Sequence, residues 1–112
     1  MRIYINRDSI DIKVKKLLVF GRLTGLMFRS AKIGNLLFEF KKKNKWAIHS
    51  YFVFFDFLAI WIDDDKNVVE AKIIKPFTFS VKPKKEFKYL IEVPITTENK
   101  HIIEFFRRKR KI

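Results

Sequence analysis

Phe57-Leu58-Ala59-Ile60-Trp61-Ile62, followed by Asp63-Asp64-Asp65-Lys66-Asn67 and then by Val68-Val69-Glu70-Ala71-Lys72-Ile73-Ile74-Lys75, is the stretch that decides the fold. Its first part, Phe57 to Asp63, is apolar, β-branched and aromatic, which reads as a strand. Asp64 to Asn67 offers the polar residues that turn a chain, and Val68 to Lys75 returns as the second arm of a hairpin. The middle of the chain is therefore β.

Working outward, Trp46 to Val53 reads as a further strand, separated from Phe57 by a bend at Phe54-Phe55-Asp56. Leu36 to Phe40 is another, and Lys41 to Lys45 reads as a solvated loop. Arg2 to Asn6 alternates apolar and polar residues, as a half-buried strand does. Arg7-Asp8-Ser9 is expected to turn. Asp11 to Phe20 follows as a second strand, fully apolar from Leu17. Gly21 breaks that pattern, and Leu23, Leu26 and Met27 recur at helical spacing, so one short helix is expected across Leu23 to Ser30. Towards the C-terminus, Pro76 and Pro83 frame an irregular or edge segment. Tyr89 to Val93 is a strand closed by Pro94. His101 to Phe106 is β-branched and aromatic enough for a last strand, with a helix capped at Thr97 as the alternative.

These elements predict a mainly β domain over residues 1–106, followed by a frayed basic tail over 107–112. About eight short strands and one short helix suggest a β-sandwich or partly closed β-barrel. At 112 residues the chain fits one domain and one core. That core is aromatic: 13 Phe, 2 Trp and 3 Tyr. There is no cysteine, hence no disulfide framework and no thiolate metal site. The N-terminus has no signal-peptide pattern. The strongest apolar run, Tyr51 to Ile62, is interrupted by Asp56 and shorter than the roughly 20 residues of a membrane helix. A soluble, cytoplasmic protein is expected, with no membrane association.

Charge is the second strong signal: 25 Lys+Arg against 12 Asp+Glu, a formal +13. Small domains stay soluble with a net charge of roughly 2–8. The excess suits a polyanionic partner, and equally suits lysine accumulation in an A+T-rich genome or a heat-adapted surface.

Arg22-Leu23-Thr24-Gly25-Leu26-Met27-Phe28-Arg29, Leu37-Phe38-Glu39-Phe40 and the long apolar region from Lys45 to Asp56 together resemble the signature of domain-of-unknown-function family 192. The likeness runs from about Ile12 to Pro94. It implies a mainly β fold of sandwich or jelly-roll character and carries no established activity. The family shows a polar or basic residue near His49, then a Pro two residues before an Asp. Here those two positions fall on Asp56 and Leu58. The acid is either displaced by two residues, which keeps the same strand face, or its role is lost.

The candidate sites follow from residue type and spacing. Arg22 and Arg29, seven apart on a helix, would project two guanidiniums from one face towards a carboxylate or phosphate. Gly25 between them would admit a ligand to the backbone. The alternative is that each pairs with a structural acid such as Glu92. His49 and Asp56 could form a general-base pair, but no activated nucleophile accompanies them, and Ser50 should face away from His49. Asp63-Asp64-Asp65 begins like a calcium loop yet has Val68 and Ile74 where an EF-hand needs Gly and Glu, so a plain turn is expected. No nucleotide-cradling glycine motif and no metal or cofactor site is expected. The basic stretches carry the remaining chemistry: Lys41, Lys42, Lys43 and Lys45 beside Trp46; Lys84 and Lys85 before Phe87; and the tail Arg107, Arg108, Lys109, Arg110, Lys111. Lysines interleaved with aromatics are what a single-stranded nucleic-acid groove uses. Three functions follow. The first is a non-catalytic binding module with an anion-recognising face at Arg22, Gly25, Arg29, His49 and Asp56. The second is a non-specific nucleic-acid binder using the basic loops and tail. The least supported is a hydrolase.

Overall fold

A computed structural model describes residues 1–17, 30–50 and 53–112. The chain is mainly β: among the described residues seven strands form two sheets, and neither sheet closes into a barrel. β1 (Arg2–Ile5) and β2 (Asp8–Asp11) make a small antiparallel hairpin. β3 (Lys15–Leu17), β4 (Leu36–Asn44), β5 (Phe57–Ile62), β6 (Val68–Ile74) and β7 (Phe87–Pro94) form the main sheet. Its order is β3-β4-β7-β5-β6, with β3 and β4 parallel and every other pair antiparallel. One helix, α1 (Lys100–Lys109), follows β7 after a 3-10 turn at Thr97–Asn99.

The deciding hairpin is β5 and β6. Asp63 closes its turn: its Oδ1 accepts the amides of Asp65 and Asn67, both at 2.9 Å. This Asx arrangement explains why acids sit there. A bulge at Val69 then shifts the register from Trp61↔Glu70 to Ile62↔Val68.

All six residues of β5 are buried. Alternation sends Leu58, Ile60 and Ile62 to one core, with Leu37, Ile91 and Val93 from neighbouring strands. Phe57, Ala59 and Trp61 face a second, more aromatic core with Phe38, Phe40 and Phe87. Both faces therefore need covering. The first is covered by α1, through Ile102, Ile103, Phe105 and Phe106, and by the β1–β2 hairpin, through Ile3 and Ile5. Irregular chain covers the second, through Ile48, Val53 and Val81.

Several expectations are corrected; the turn expected at Arg7-Asp8-Ser9 falls at Asn6-Arg7, because Asp8 and Ser9 already belong to β2. The strand expected from Asp11 to Phe20 divides: β2 ends at Asp11 in the small sheet, and Lys15 to Leu17 joins the large one. The two pieces serve different sheets, with Met1 and Ile12 exchanging main-chain hydrogen bonds at the junction. Lys41 to Asn44 is not a loop but the exposed end of β4. Over its described residues, Trp46 to Val53 is not a continuous strand; Ile48 makes an isolated bridge to Val81. His101 to Phe106 is helix, not strand, because Ile102, Ile103 and Phe106 fall on one face at helical spacing and seal the sheet. Consequently Arg107, Arg108 and Lys109 form the last turn of α1 rather than a frayed tail. Cations suit the carboxyl end of a helix dipole. Of the expected helix Leu23–Ser30, residues 23–29 lie outside the described residues, as do residues 18–20 of the expected second strand. Among the described residues no helix is long and apolar enough to cross a membrane.

Two outcomes test this architecture. Phe106 is fully buried between helix and sheet, so Phe106→Ala should lower stability by about 3–5 kcal/mol in denaturant unfolding, while the exposed neighbour Arg107→Ala should change it by under about 0.5 kcal/mol. The second concerns Lys16, whose Nζ lies 2.7 Å from Glu39 Oε1 and ties β3 to β4. That hydrogen bond holds the Glu39 carboxyl below its ordinary range and raises the Lys16 ammonium above its own. A depressed folded-state carboxyl contributes stability above its unfolded pKa and loses it as pH falls through the folded value. Lys16→Gln should therefore move the NMR-detected titration of Glu39 up towards the ordinary carboxylate range. The stability change should be small because the pair is exposed.

Candidate polyanion-binding face

The cover over the aromatic core is built from two irregular segments that hold each other through their backbones. Ile48 and Val81 exchange both amide hydrogen bonds at 2.8 Å. Ser50 N–H donates to the Thr78 carbonyl at 3.0 Å, and Phe77 N–H to the Ser50 carbonyl at 2.8 Å. The buried Ser50 hydroxyl donates to the Lys75 carbonyl and accepts from Thr78 N–H, each at 2.5 Å. Those are the two groups that a β-turn would join directly. The hydroxyl bridges them, and the Thr78 hydroxyl also donates to the Lys75 carbonyl at 2.7 Å, so the turn from Lys75 to Thr78 is clasped with Pro76 and Phe77 at its corner. Phe77 sits at φ 58, in the left-handed region where an ordinary side chain is strained.

Ser50 is thus engaged in the fold as both donor and acceptor. Asp56 is likewise engaged: its Oδ2 lies 2.7 Å from Lys75 Nζ, and its carbonyl accepts Ile95 N–H at 3.0 Å. His49 is half-buried beside Ser50. Ser50 and Asp56 thus clasp the turn and its flanks.

The same pairing gathers the basic residues. Antiparallel contact between Ile48 and Val81 sets the stretch Lys45-Trp46 beside the stretch Lys82-Pro83-Lys84-Lys85. Asn44 fixes the first stretch, accepting Trp46 N–H at 3.0 Å and donating to the Phe87 carbonyl at 3.5 Å. Trp46 meets Phe40 edge-on at 5.7 Å, and Phe40 meets Phe87 at 5.2 Å. Glu70 fixes the second stretch by accepting Lys84 N–H at 3.0 Å. Lys41, Lys42, Lys45, Lys84 and Lys85 are all exposed. Among the described residues Lys43 is paired with Asp64 at 3.4 Å, and no ion pair engages those other five.

The third basic stretch does not join them. Arg107, Arg108 and Lys109 belong to α1, which packs on the opposite face of the sheet. Lys109 pairs there with Asp8, while Arg110 and Lys111 follow the helix end. Arg22, Gly25 and Arg29 lie outside the described residues. Glu92, the structural acid considered as their alternative partner, is 5% exposed and stands in register between Leu36 and Ala59 on the aromatic side. A carboxylate drawn out of water there needs donors or a cation. The three carboxylates of Asp63, Asp64 and Asp65 can approach within 4.8 Å, but Asp63 caps the turn and Asp64 meets Lys43. A cleft of about 430 Å³ between the β2–β3 connection and the start of α1 is lined by Asp11, Lys13, Lys15, Asn35, Glu98 and His101. Its charges are of both signs, so it offers no concentrated field for an anion.

Sequence reasoning missed Phe54, Phe77 and Phe79. They are 64%, 51% and 80% exposed, close to the 59% of Trp46. Phenylalanine reads as core by default. The signal that could have found one of them is Pro76, which at a turn corner puts the next residue on the outside.

Among solved structures, two are similar in fold. One is a protein of Sinorhizobium meliloti described as a candidate transcription regulator, 17% identical, with a TM-score of 0.72 over 90% of this chain and 82% of that one. The other is a protein of unknown function from Novosphingobium aromaticivorans, 12% identical, with a TM-score of 0.69 over 84% of this chain and 70% of that one. No functionally curated protein matches the chain. The model of domain-of-unknown-function family 192 (DUF192, "Uncharacterized ACR") matches residues 6–105. An unbroken match across nearly the whole domain, agreeing with the motif at Arg22 to Arg29 and the strands that follow it, makes this chain a member of the DUF192 family.

Proposed function

We propose that this protein is a non-catalytic binding module whose partner is a polyanion, held on the surface where Lys41, Lys42, Lys45, Lys84 and Lys85 converge around Trp46. The observation that carries the reading is the Ile48–Val81 bridge. It brings together two lysine clusters nearly forty positions apart in sequence, at the cost of mutual repulsion that the nearby Glu70 and Asp64 offset only in part, since five of the lysines have no ion pair among the described residues. Like charges gathered on one surface destabilise the isolated fold, and a partner of opposite charge removes that cost. The formal +13 of the chain extends the attraction by steering the partner from a distance. Commitment of Ser50 and Asp56 to the fold argues against hydrolysis. A binding role also agrees with the candidate transcription regulator whose fold resembles this one.

Duplex DNA serves as a generic polyanion for the test. If about six phosphates are neutralised, affinity should fall roughly a thousandfold between 50 and 200 mM salt. Lys84→Gln with Lys85→Gln should flatten the salt slope by about one for each phosphate no longer neutralised. Arg107→Gln with Arg108→Gln, on the other face, should leave the slope nearly unchanged. Binding that ignores salt, or that depends on the helix arginines rather than the lysines, would refute the reading.

A further inference from the structure

Resting on that reading, we infer that the polyanion is a single-stranded nucleic acid, whose bases stack on Trp46, Phe79, Phe77 and Phe54 while its phosphates run past the lysines. Three of the four rings belong to one ribbon, and Phe54 adjoins it. Trp46 and Ile48 lie on one strand of it, Val81, Phe79 and Phe77 on the other, and the Ile48–Val81 and Ser50–Thr78 hydrogen bonds lock the two together. Phe54 meets Phe77 edge-on at 5.4 Å, which joins the last two rings into one apolar surface.

Three observations favour this occupant. First, each ring is more than half exposed although the domain already has two cores to fill. Second, Phe77 holds a left-handed backbone where glycine would be unstrained. Strain kept by a large exposed side chain, and fixed by the buried Ser50 clasp, points to a ligand contact. Third, Lys45, Lys75, Lys82, Lys84 and Lys85 occupy the same ribbon as the rings, with Lys75 paired to Asp56. Rings alone would suit an apolar partner, and lysines alone would suit any polyanion. Rings and ammonium groups carried on the same two segments match a chain that carries both planar bases and phosphates. A second copy of this chain is disfavoured, because two molecules of formal +13 repel.

Trp46 gives the readout. It is exposed while Trp61, the other tryptophan, is fully buried. An oligothymidylate and an oligouridylate of about eight nucleotides should quench Trp46 fluorescence on binding, whereas a heparin fragment of similar charge should bind with little quenching. Phe77→Ala and Phe79→Ala should each weaken oligonucleotide binding by about five- to a hundredfold and leave heparin binding within twofold. Phe77→Gly keeps the backbone at φ 58 without strain, so it should retain or raise the Tm while losing the same affinity. If oligonucleotide and heparin bind equally, and the ring variants weaken neither, the inference falls and the polyanion reading stands. If neither binds at low salt, both fall. A dimer seen by sedimentation that dissociates in Phe79→Ala would assign the rings to self-association and overturn the inference.

Discussion

Every side chain of β5, from Phe57 to Ile62, is withdrawn from water, and this double burial governs the rest of the molecule. A strand apolar on both faces needs two covers, since each large aliphatic or aromatic side chain left exposed would forfeit about 1.5–3 kcal/mol. The two covers differ in kind. On one side α1 presents Ile102, Ile103 and Phe106 in a regular stripe. On the other, irregular chain reaches over Trp61, Phe38 and Phe87. Irregular chain cannot satisfy its own backbone as a helix does, so its two segments bond to each other and draw on side chains as well: the Ser50 hydroxyl between Lys75 and Thr78, and Asn44 between Trp46 and Phe87.

That second cover is where chemistry becomes available. A helix face uses its side chains for packing or for solvation. An irregular ribbon can bury Ile48 and Val81 yet turn Trp46, Phe77 and Phe79 outward within a few residues. Tight backbone contacts above the sheet fix the main chain that carries these rings and lysines, as the proposed binding role requires. Preorganisation of this kind lowers the entropy cost of binding. The division of positive charge follows the same geometry, with lysines on the ribbon side and the helix arginines on the other.

Legibility varied with the range of the interaction concerned. The β5–β6 hairpin was readable because its signals are local: apolar arms, a polar turn, and Asp63 supplying the capping oxygen. Lys41 to Asn44 misled because charge reports solvent exposure and not backbone conformation; β7 extends the pairing to Asn44 regardless. His101 to Phe106 misled because β-branched and aromatic residues favour strands locally, while burial of one helical stripe against the sheet outweighs that preference. Within the candidate site, each lysine cluster and Trp46 could be seen individually. Their meeting could not, since it depends on one bridge between Ile48 and Val81.

The family, the β character, the central hairpin, the aromatic core and the strong positive charge were all written in the amino-acid order, because each is a property of neighbouring residues or of composition. Folding in three dimensions settled the rest: which lysines share a surface, that Arg107 to Lys109 stand on the opposite face, that Ser50 is a clasp, and that Phe54, Phe77 and Phe79 point outward. These depend on contacts between distant segments. Such contacts are made by the segments that cover the two faces of β5, and no local pattern encodes which segment will cover which face.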